Sequence, residues 1–457
     1  MSVKSIVIAN IAEFNRRAMV KSFKQNEIIA WDEASFALAD MSLYWCGDDK
    51  VVILPCPPDE SFLEDVKIAL GYKNVNVVWP TKRSYSICED IIKDRKLFEF
   101  LLKTIQDSNN PQIVSWGVTN QFYFLLDKLK NSGANYVASE VPKKSNYWTA
   151  LYFESKAGFR EFVADKLPTL KIPEGFICEN KEAAIDAIAY FALKQRGFVL
   201  KANYGTGGFS TMCYPSDQLQ RGFQSLQKDA LHRMTFDNFW DNPPVIIEEH
   251  IPGIDGSFPS SLTINFIIHE DGSLTMKGSG KMVMRREWLY SGIHCGLGSL
   301  ETVVENRIVD IGYQVGTQMA IMGYRGWFDI DFVKGGGNEI YLTEINARRA
   351  SPIHVFDIGA QIIGDDWVSK QSLYANDRLH LQGSCKPNYS QIRKVFDDFN
   401  TKNNDFLVQA IPTIMSISLT KKTPYMGYVV LAQSASSASY FAIQLENQIK
   451  KAIGMLV

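Results

Sequence analysis

The chain has 457 residues, too many for one ordinary core, so two or three domains are expected. Hydrophobic residues make up 46 % and charged residues 21 %, the balance of a soluble globular protein. The formal net charge of −2 argues against nucleic acid or an anionic membrane as the main partner.

Met1-Ser2-Val3-Lys4 ahead of Ile6-Val7-Ile8 is too short in its apolar part for a secretory signal and leads into a first strand. No later apolar run approaches the ~20 residues that cross a bilayer. Cys46, Cys56, Cys88, Cys178, Cys213, Cys295 and Cys385 form no C-x-x-C pair, which fits free thiols in a reducing cytoplasm. Up to about residue 140, apolar strands (Ser5 to Ala9, Val51 to Leu54, Val75 to Trp79, Ile113 to Trp116) alternate with helices (Asp59 to Leu70, Ile87 to Ile105, Thr119 to Asn131). Such alternation gives a parallel sheet with helices on its faces. No G-x-G-x-x-G follows the first strand, so a dinucleotide site there is not expected.

The composition turns polar between Val141 and Trp148, and a domain boundary is placed there. Helices are then expected over Glu154 to Lys166 and Glu182 to Lys194, and strands over Phe198 to Lys201 and Val245 to Glu248. A strand from Leu274 to Gly278 is followed by a basic loop carrying Lys281, Arg285 and Arg286 and continuing through Tyr290 to His294. The tail holds a helix-like Trp367 to Leu373, strands over Leu407 to Leu419 and Tyr425 to Leu431, and a last helix from about Ser437 to Ile453.

Three stretches carry chemistry. Lys201 ends a strand and runs into Ala202 to Thr211, a loop containing Gly205, Gly207 and Gly208. Glycines let backbone N–H groups turn toward an anion and lysine adds a point charge, although a plain Gly-rich hairpin reads as well. Val245 to Asp255 brings an apolar strand to Glu248, Glu249, Ile251 and Asp255, where backbone could meet a base and a carboxylate a ribose. Asp331 and the pair Glu344 and Asn346 stand on two strands joined by Gly335-Gly336-Gly337-Asn338. Residues two apart share a strand face, so three hard oxygen ligands converge, with Arg348 beyond them. Carboxylates plus an amide oxygen suit magnesium, and magnesium in open sites carries phosphate. The cations of this loop could meet a phosphate or a substrate carboxylate, with Arg285, Arg286 and His294 the candidates for substrate contact, against a solvated basic loop as the plain alternative.

In this order and spacing the segments resemble the ATP-grasp superfamily over roughly 150 to 360, E-x-N-x-R at Glu344 to Arg348 being the most specific element. The resemblance implies an α/β and α+β chain. A Rossmann-like preATP-grasp domain would span 1–140 and a two-subdomain ATP-grasp fold 141–360 (nucleotide lid 141–250, metal and catalytic part 251–360). A small α+β C-terminal extension would follow over 361–457. It implies ATP, with Lys156 and Lys201 on the phosphates and Gly205, Gly207, Gly208 and Ser210 as lid. Glu248, Glu249 and Ile251 would meet the adenine and Asp255 the ribose. Asp331, Glu344 and Asn346 would hold two Mg2+ ions (Mn2+ as a substitute), and Arg348 and Lys281 would act at the transferring phosphoryl group. The implied reaction is carboxylate–amine ligation through an acyl phosphate, on small-molecule carboxylate and amine substrates or on a peptide or carrier-bound one, with a homodimer as family habit. A narrower resemblance is to bacterial natural-product peptide ligases of the pheganomycin and butirosin acyl-carrier types. An ATP-grasp kinase acting on a hydroxyl and a non-catalytic nucleotide-binding regulator are the competing readings.

Overall fold

Four parallel strands, β1 (Ser5–Ile8), β2 (Lys50–Ile53), β3 (Val75–Val78) and β4 (Gln112–Ser115), form the first sheet in the order β3-β2-β1-β4. All four fall within a residue of the expected spans, because each is a short apolar run between turns. The computed structural model describes residues 2–19, 23–205, 207–253, 259–285, 288–381, 387–420 and 424–454. The helix expected from Ile87 to Ile105 is two, Ile87–Lys93 and Arg95–Gln106. Asp94 leaves helical geometry between them, and its carboxylate accepts from Leu97 N at 3.1 Å, capping the second. A helix over Gln25–Leu38 was not foreseen: its first turn is tied by Lys24 N donating to Glu27 Oε2 at 2.8 Å, but its sequence has little amphipathic contrast.

The second sheet is antiparallel, in the order β5 (Gly175–Cys178), β8 (Val245–Glu249), β6 (Phe198–Ala202), β7 (Thr211–Tyr214). The third has eight strands, β9 (Ser260–Ile268), β10 (Leu274–Arg285), β11 (Leu289–Gly296), β12 (Gly326–Lys334), β13 (Ile340–Asn346), β14 (Ser372–His380), β15 (Gln409–Ile414) and β16 (Tyr425–Ala432). Their order is β13-β12-β9-β10-β11-β14-β16-β15, with all pairs antiparallel.

Two expectations change here. The basic loop after Gly278 does not exist as drawn: Lys281 and Arg285 lie on β10, and Tyr290 to His294 belong to β11. The sequence signal was masked because Gly278-Ser279-Gly280, in the middle of β10, reads as a turn that ends a strand. The helix-like Trp367 to Leu373 is a single 3-10 turn, Trp367–Ser369, before β14.

The tail therefore continues the central sheet, since β14 pairs with β11 through Cys295 and Leu373. Helix Thr302–Ile321 covers the other half of that sheet, where Phe266 and Phe328 stack with centroids 5.5 Å apart. The second, antiparallel sheet and the eight-stranded sheet face each other across a cleft, and Ile11, Asn15, Leu38 and Trp116, from the segments around the first sheet, line one end of it.

Candidate functional site at the cleft between two sheets

The cleft holds a cavity of about 210 Å³, lined on one side by Lys201 and Glu248 to Ile251 and on the other by Asp329, Asp331, Glu344, Asn346 and Arg348. Strand register explains the second wall. Asp331 lies opposite Glu344 and Asp329 opposite Asn346, so the β12–β13 hairpin puts all four side chains on one face. Asn346 Nδ2 donates to Asp329 Oδ2 at 3.2 Å, and Arg348 Nη2 donates to Asn346 Oδ1 at 3.0 Å. Arg348 is fixed from behind by Glu154, whose two oxygens accept from Arg348 Nε at 3.0 Å and from Ala347 N at 2.8 Å.

The opposite wall carries the cations. Ser155 caps helix Lys156–Lys166 by accepting from Gly158 N at 2.9 Å, and Asn203 takes two more of that helix's first N–H groups, from Lys156 at 3.1 Å and Ala157 at 3.0 Å. The helix start is thereby tied to the end of β6, and Lys156 reaches Glu344 Oε2 at 3.0 Å. Lys201 Nζ lies 2.5 Å from Glu248 Oε1, while Arg160 Nη1 lies 3.1 Å from Glu248 Oε2. Glu248 is buried between two cations, an arrangement that costs about 3–5 kcal/mol when one partner is removed.

Electrostatics divide the acids. Burial, and then Glu344 nearby, pushes the Asp331 carboxyl up to about 7. Burial, and then Asp331, lifts Asp329 well above the usual carboxylate range. Burial also works against the charged form of Glu344, but Lys156 and Lys201 outweigh it and hold this carboxyl below its ordinary value. Crowded buried carboxylates of this kind are relieved by a cation. Asp329 Oδ1 and both polar side-chain atoms of Asn265 on neighbouring β9 are buried with no hydrogen-bond partner among the described residues. Among the described residues no three acidic, histidine or cysteine groups already stand at metal-holding distances, since Lys156 and Arg348 engage Glu344 and Asn346. The donor set is nonetheless all oxygen, carries an orphaned carboxylate oxygen and fits magnesium.

No family profile and no curated protein matches the sequence. Solved structures do match in shape. The biotin carboxylase of Campylobacter jejuni, in its β,γ-ATP complex, is 13% identical, with a TM-score of 0.52 over 100% of this chain and 92% of that one. An N5-carboxyaminoimidazole ribonucleotide synthetase in complex with ADP is 13% identical, with a TM-score of 0.54 over 99% and 98%. An N5-carboxyaminoimidazole synthase from Aspergillus clavatus, bound to ADP and 5-aminoimidazole ribonucleotide, is 11% identical, with a TM-score of 0.54 over 98% and 99%. The chain has the ATP-grasp fold.

Within this ATP-grasp frame the structure brings together Lys156, Lys201, Asp331, Glu344, Asn346 and Arg348. Glu249 and Ile251 line the same cavity, but Glu249 N and His250 N already donate to Glu174 O and Gly197 O, at 2.7 and 2.9 Å. Glu248 lines the cavity as well, and its carboxylate holds Arg160 and Lys201. The glycine loop is docked: Tyr290 N donates to Gly207 O at 3.2 Å, and a Cβ on Gly208 (φ +82°) would fall 1.8 Å from Trp288 O. Gly205 lies in the same loop, and Ser210 Oγ donates to Asp237 Oδ2 at 2.5 Å.

Lys281 is not brought to the cavity. Met282 and Met284 line it, so Lys281, one residue off in a strand, faces the other way and is exposed. His294 pairs with Lys281 in register and meets Ser372 Oγ at 2.9 Å on that same far face. Burial and then Lys281 push its imidazole down to about 4, so it is neutral there. Arg285 lines a separate, adjoining cavity. Asp255 and Arg286 lie outside the described residues.

Three site residues were missed in the sequence. Asp329 was within reach, being two positions before Asp331 on the same strand face. Glu154 and Arg378, whose side chain also lines the cavity, carry no local signal, because their relation to the site comes from tertiary packing.

Proposed function

We propose that the protein is an ATP-dependent, ADP-forming carboxylate–amine ligase. The observation that carries this reading is the single sheet face presenting Asp331, Glu344 and Asn346, with Arg348 beside them, opposite Lys156, Lys201 and the docked glycine loop. In such a site the γ-phosphoryl group of the substrate ATP passes to a carboxylate oxygen, releasing ADP. An amine then attacks the acyl carbon, the C–N bond forms as the C–O bond to phosphate breaks, and phosphate leaves.

Asp331, Glu344 and Asn346 would hold the magnesium, which supplies charge neutralisation between two anionic reactants. Lys201 and Lys156 would bind phosphate oxygens, and Lys156 also keeps Glu344 ionised. Arg348, oriented by Glu154, would stabilise charge on the transferring group. Gly207 and Gly208 would seal the site against water. The proposed division of labour follows the segments, with 141–250 holding the nucleotide, 251–360 the metal, and 1–140 and 361–457 shaping the substrate side. Specialised metabolism, a cytoplasmic location and a possible peptide or carrier substrate belong to the same reading. Among the described residues no helix is long and apolar enough to cross a membrane.

The test is ADP release from MgATP across a panel of carboxylates with and without an amine. Release of phosphate that requires both supports ligation. A phosphorylated hydroxyl product with no free phosphate would instead identify a kinase.

A further inference from the structure

A second cavity of about 390 Å³ adjoins the first, within the usual range of small-molecule sites, roughly 300–1,000 Å³. Asn15, Leu38, Tyr290 and Arg378 line both, so the two spaces meet at these side chains. The far walls are aromatic: Trp31 from the helix Gln25–Leu38, Phe209 from the glycine loop, Phe23, Phe236 and Tyr425. Phe209 meets Trp31 edge-on at 5.1 Å and lies under the Arg378 guanidinium at 5.5 Å.

The polar groups are few and directional. Arg378 has no carboxylate partner among the described residues, and Arg285 stands at the exposed side. The two acids of the lining are already engaged: Glu27 accepts from Asn238 Nδ2 at 2.8 Å, and Asp237 from Phe239 N at 2.9 Å and from Ser210. His380 is held neutral, its imidazole pushed down to about 4 by burial and then by Arg285 and Arg378. Asn15 is nine-tenths buried; its Nδ2 donates to Ser35 Oγ at 3.0 Å, while its Oδ1 accepts from no group among the described residues. A buried acceptor left unpaired is destabilising and marks a place for a donor.

We infer that this second cavity is the acid-substrate site and takes a carboxylic acid with an aromatic-sized apolar body and an N–H donor near the carboxylate. Arg378 holds the carboxylate at the mouth of the phosphate-side cavity, Asn15 Oδ1 accepts from the N–H group, and Trp31 and Phe209 flank the body. This substrate class rests on the ligase reading above, and the experiment separates the two.

Four probes each keep or drop one feature: phenylalanine, phenylpropanoate without the amine, phenethylamine without the carboxylate, and glycine without the body. Binding to the full-length protein in MgADP is measured by calorimetry. ADP release from MgATP is measured with hydroxylamine as nucleophile, which converts acid, ATP and hydroxylamine to hydroxamate, ADP and phosphate. Phenylalanine is expected to bind at least tenfold more tightly than each of the other three. Arg378→Gln should weaken phenylalanine at least tenfold and leave phenethylamine unchanged, with part of the loss recovered in Arg378→Lys. Trp31→Leu should weaken phenylalanine and leave glycine unchanged. Equal binding of all four probes, or an Arg378→Gln loss shared by phenethylamine, overturns the inference. Selective phenylalanine binding without ADP release leaves the cavity assignment standing and removes the ligase reading. ADP release driven by glycine or bicarbonate, with the aromatic probes unbound, does the reverse.

Discussion

Glu344 is held charged in the cleft, with Lys156 3.0 Å from one of its oxygens. Glu344→Gln keeps the shape and removes the charge, so ADP release should fall at least a hundredfold while the melting temperature moves little; retained turnover would exclude Glu344 as a metal ligand. Asp40 makes a separate prediction at the same scale. Burial pushes its carboxyl up to about 6, against hydrogen bonds from Met415 N, Ser416 N and Ser416 Oγ. The folded protein keeps a proton that the unfolded chain releases above about pH 4. This contribution is therefore fully present below pH 4 and is lost as pH rises through 6, to the extent of roughly 3 kcal/mol. Denaturant titrations from pH 4 to 7 should give Asp40→Asn a flatter stability profile than the parent protein. Single residues were legible in the sequence where a strand's two-residue period sorts them, as for Asp331, Glu344 and Asn346. Glu154 was not, because nothing within its own segment predicts that it will reach Arg348 across 194 positions.

At the scale of elements, the glycine loop can lie against the β10–β11 turn only because Gly208 lacks a side chain. Gly208→Ala should lift the loop from Trp288. The expected result is a KM for ATP raised about tenfold with an unchanged melting temperature, since the loop adds little to any core; unchanged ATP kinetics would mean that docking is irrelevant to nucleotide binding. The β12–β13 hairpin was readable from its Gly-rich turn and its apolar flanks. The long strand β10 was not, because Gly278-Ser279-Gly280 interrupts its pattern and the Met-rich half beyond carries a single β-branched residue, Val283. That misreading placed Lys281 and His294 on the chemical side, and one residue of strand register turned both outward.

For the molecule as a whole, the alternation of strands and helices before residue 140 made the parallel sheet predictable. The fusion of the tail with the central sheet was invisible, since pairing partners far apart in sequence leave no periodic trace. Ending the chain at residue 360 would strip β14, β16 and β15 from β11 and expose an interior edge. Such a truncation should be recovered only as aggregate, judged by size-exclusion chromatography; a monomeric, ATP-binding fragment would show that the tail is dispensable.

Arg348 and Arg349 leave the end of β13 in different directions. The first enters the cleft, and the second is clasped by Glu140 at 2.6 Å between the rings of Trp45 and Trp327, whose centroids lie 5.1 and 4.6 Å away. One peptide bond thus joins the arginine that enters the cleft to an anchor built with Trp45 and Glu140 from the chain ahead of it. Loosening that anchor, for example by Trp45→Leu, would show up as slower turnover before any loss of nucleotide affinity, as though a gauge had slipped on its mount while the scale stayed true.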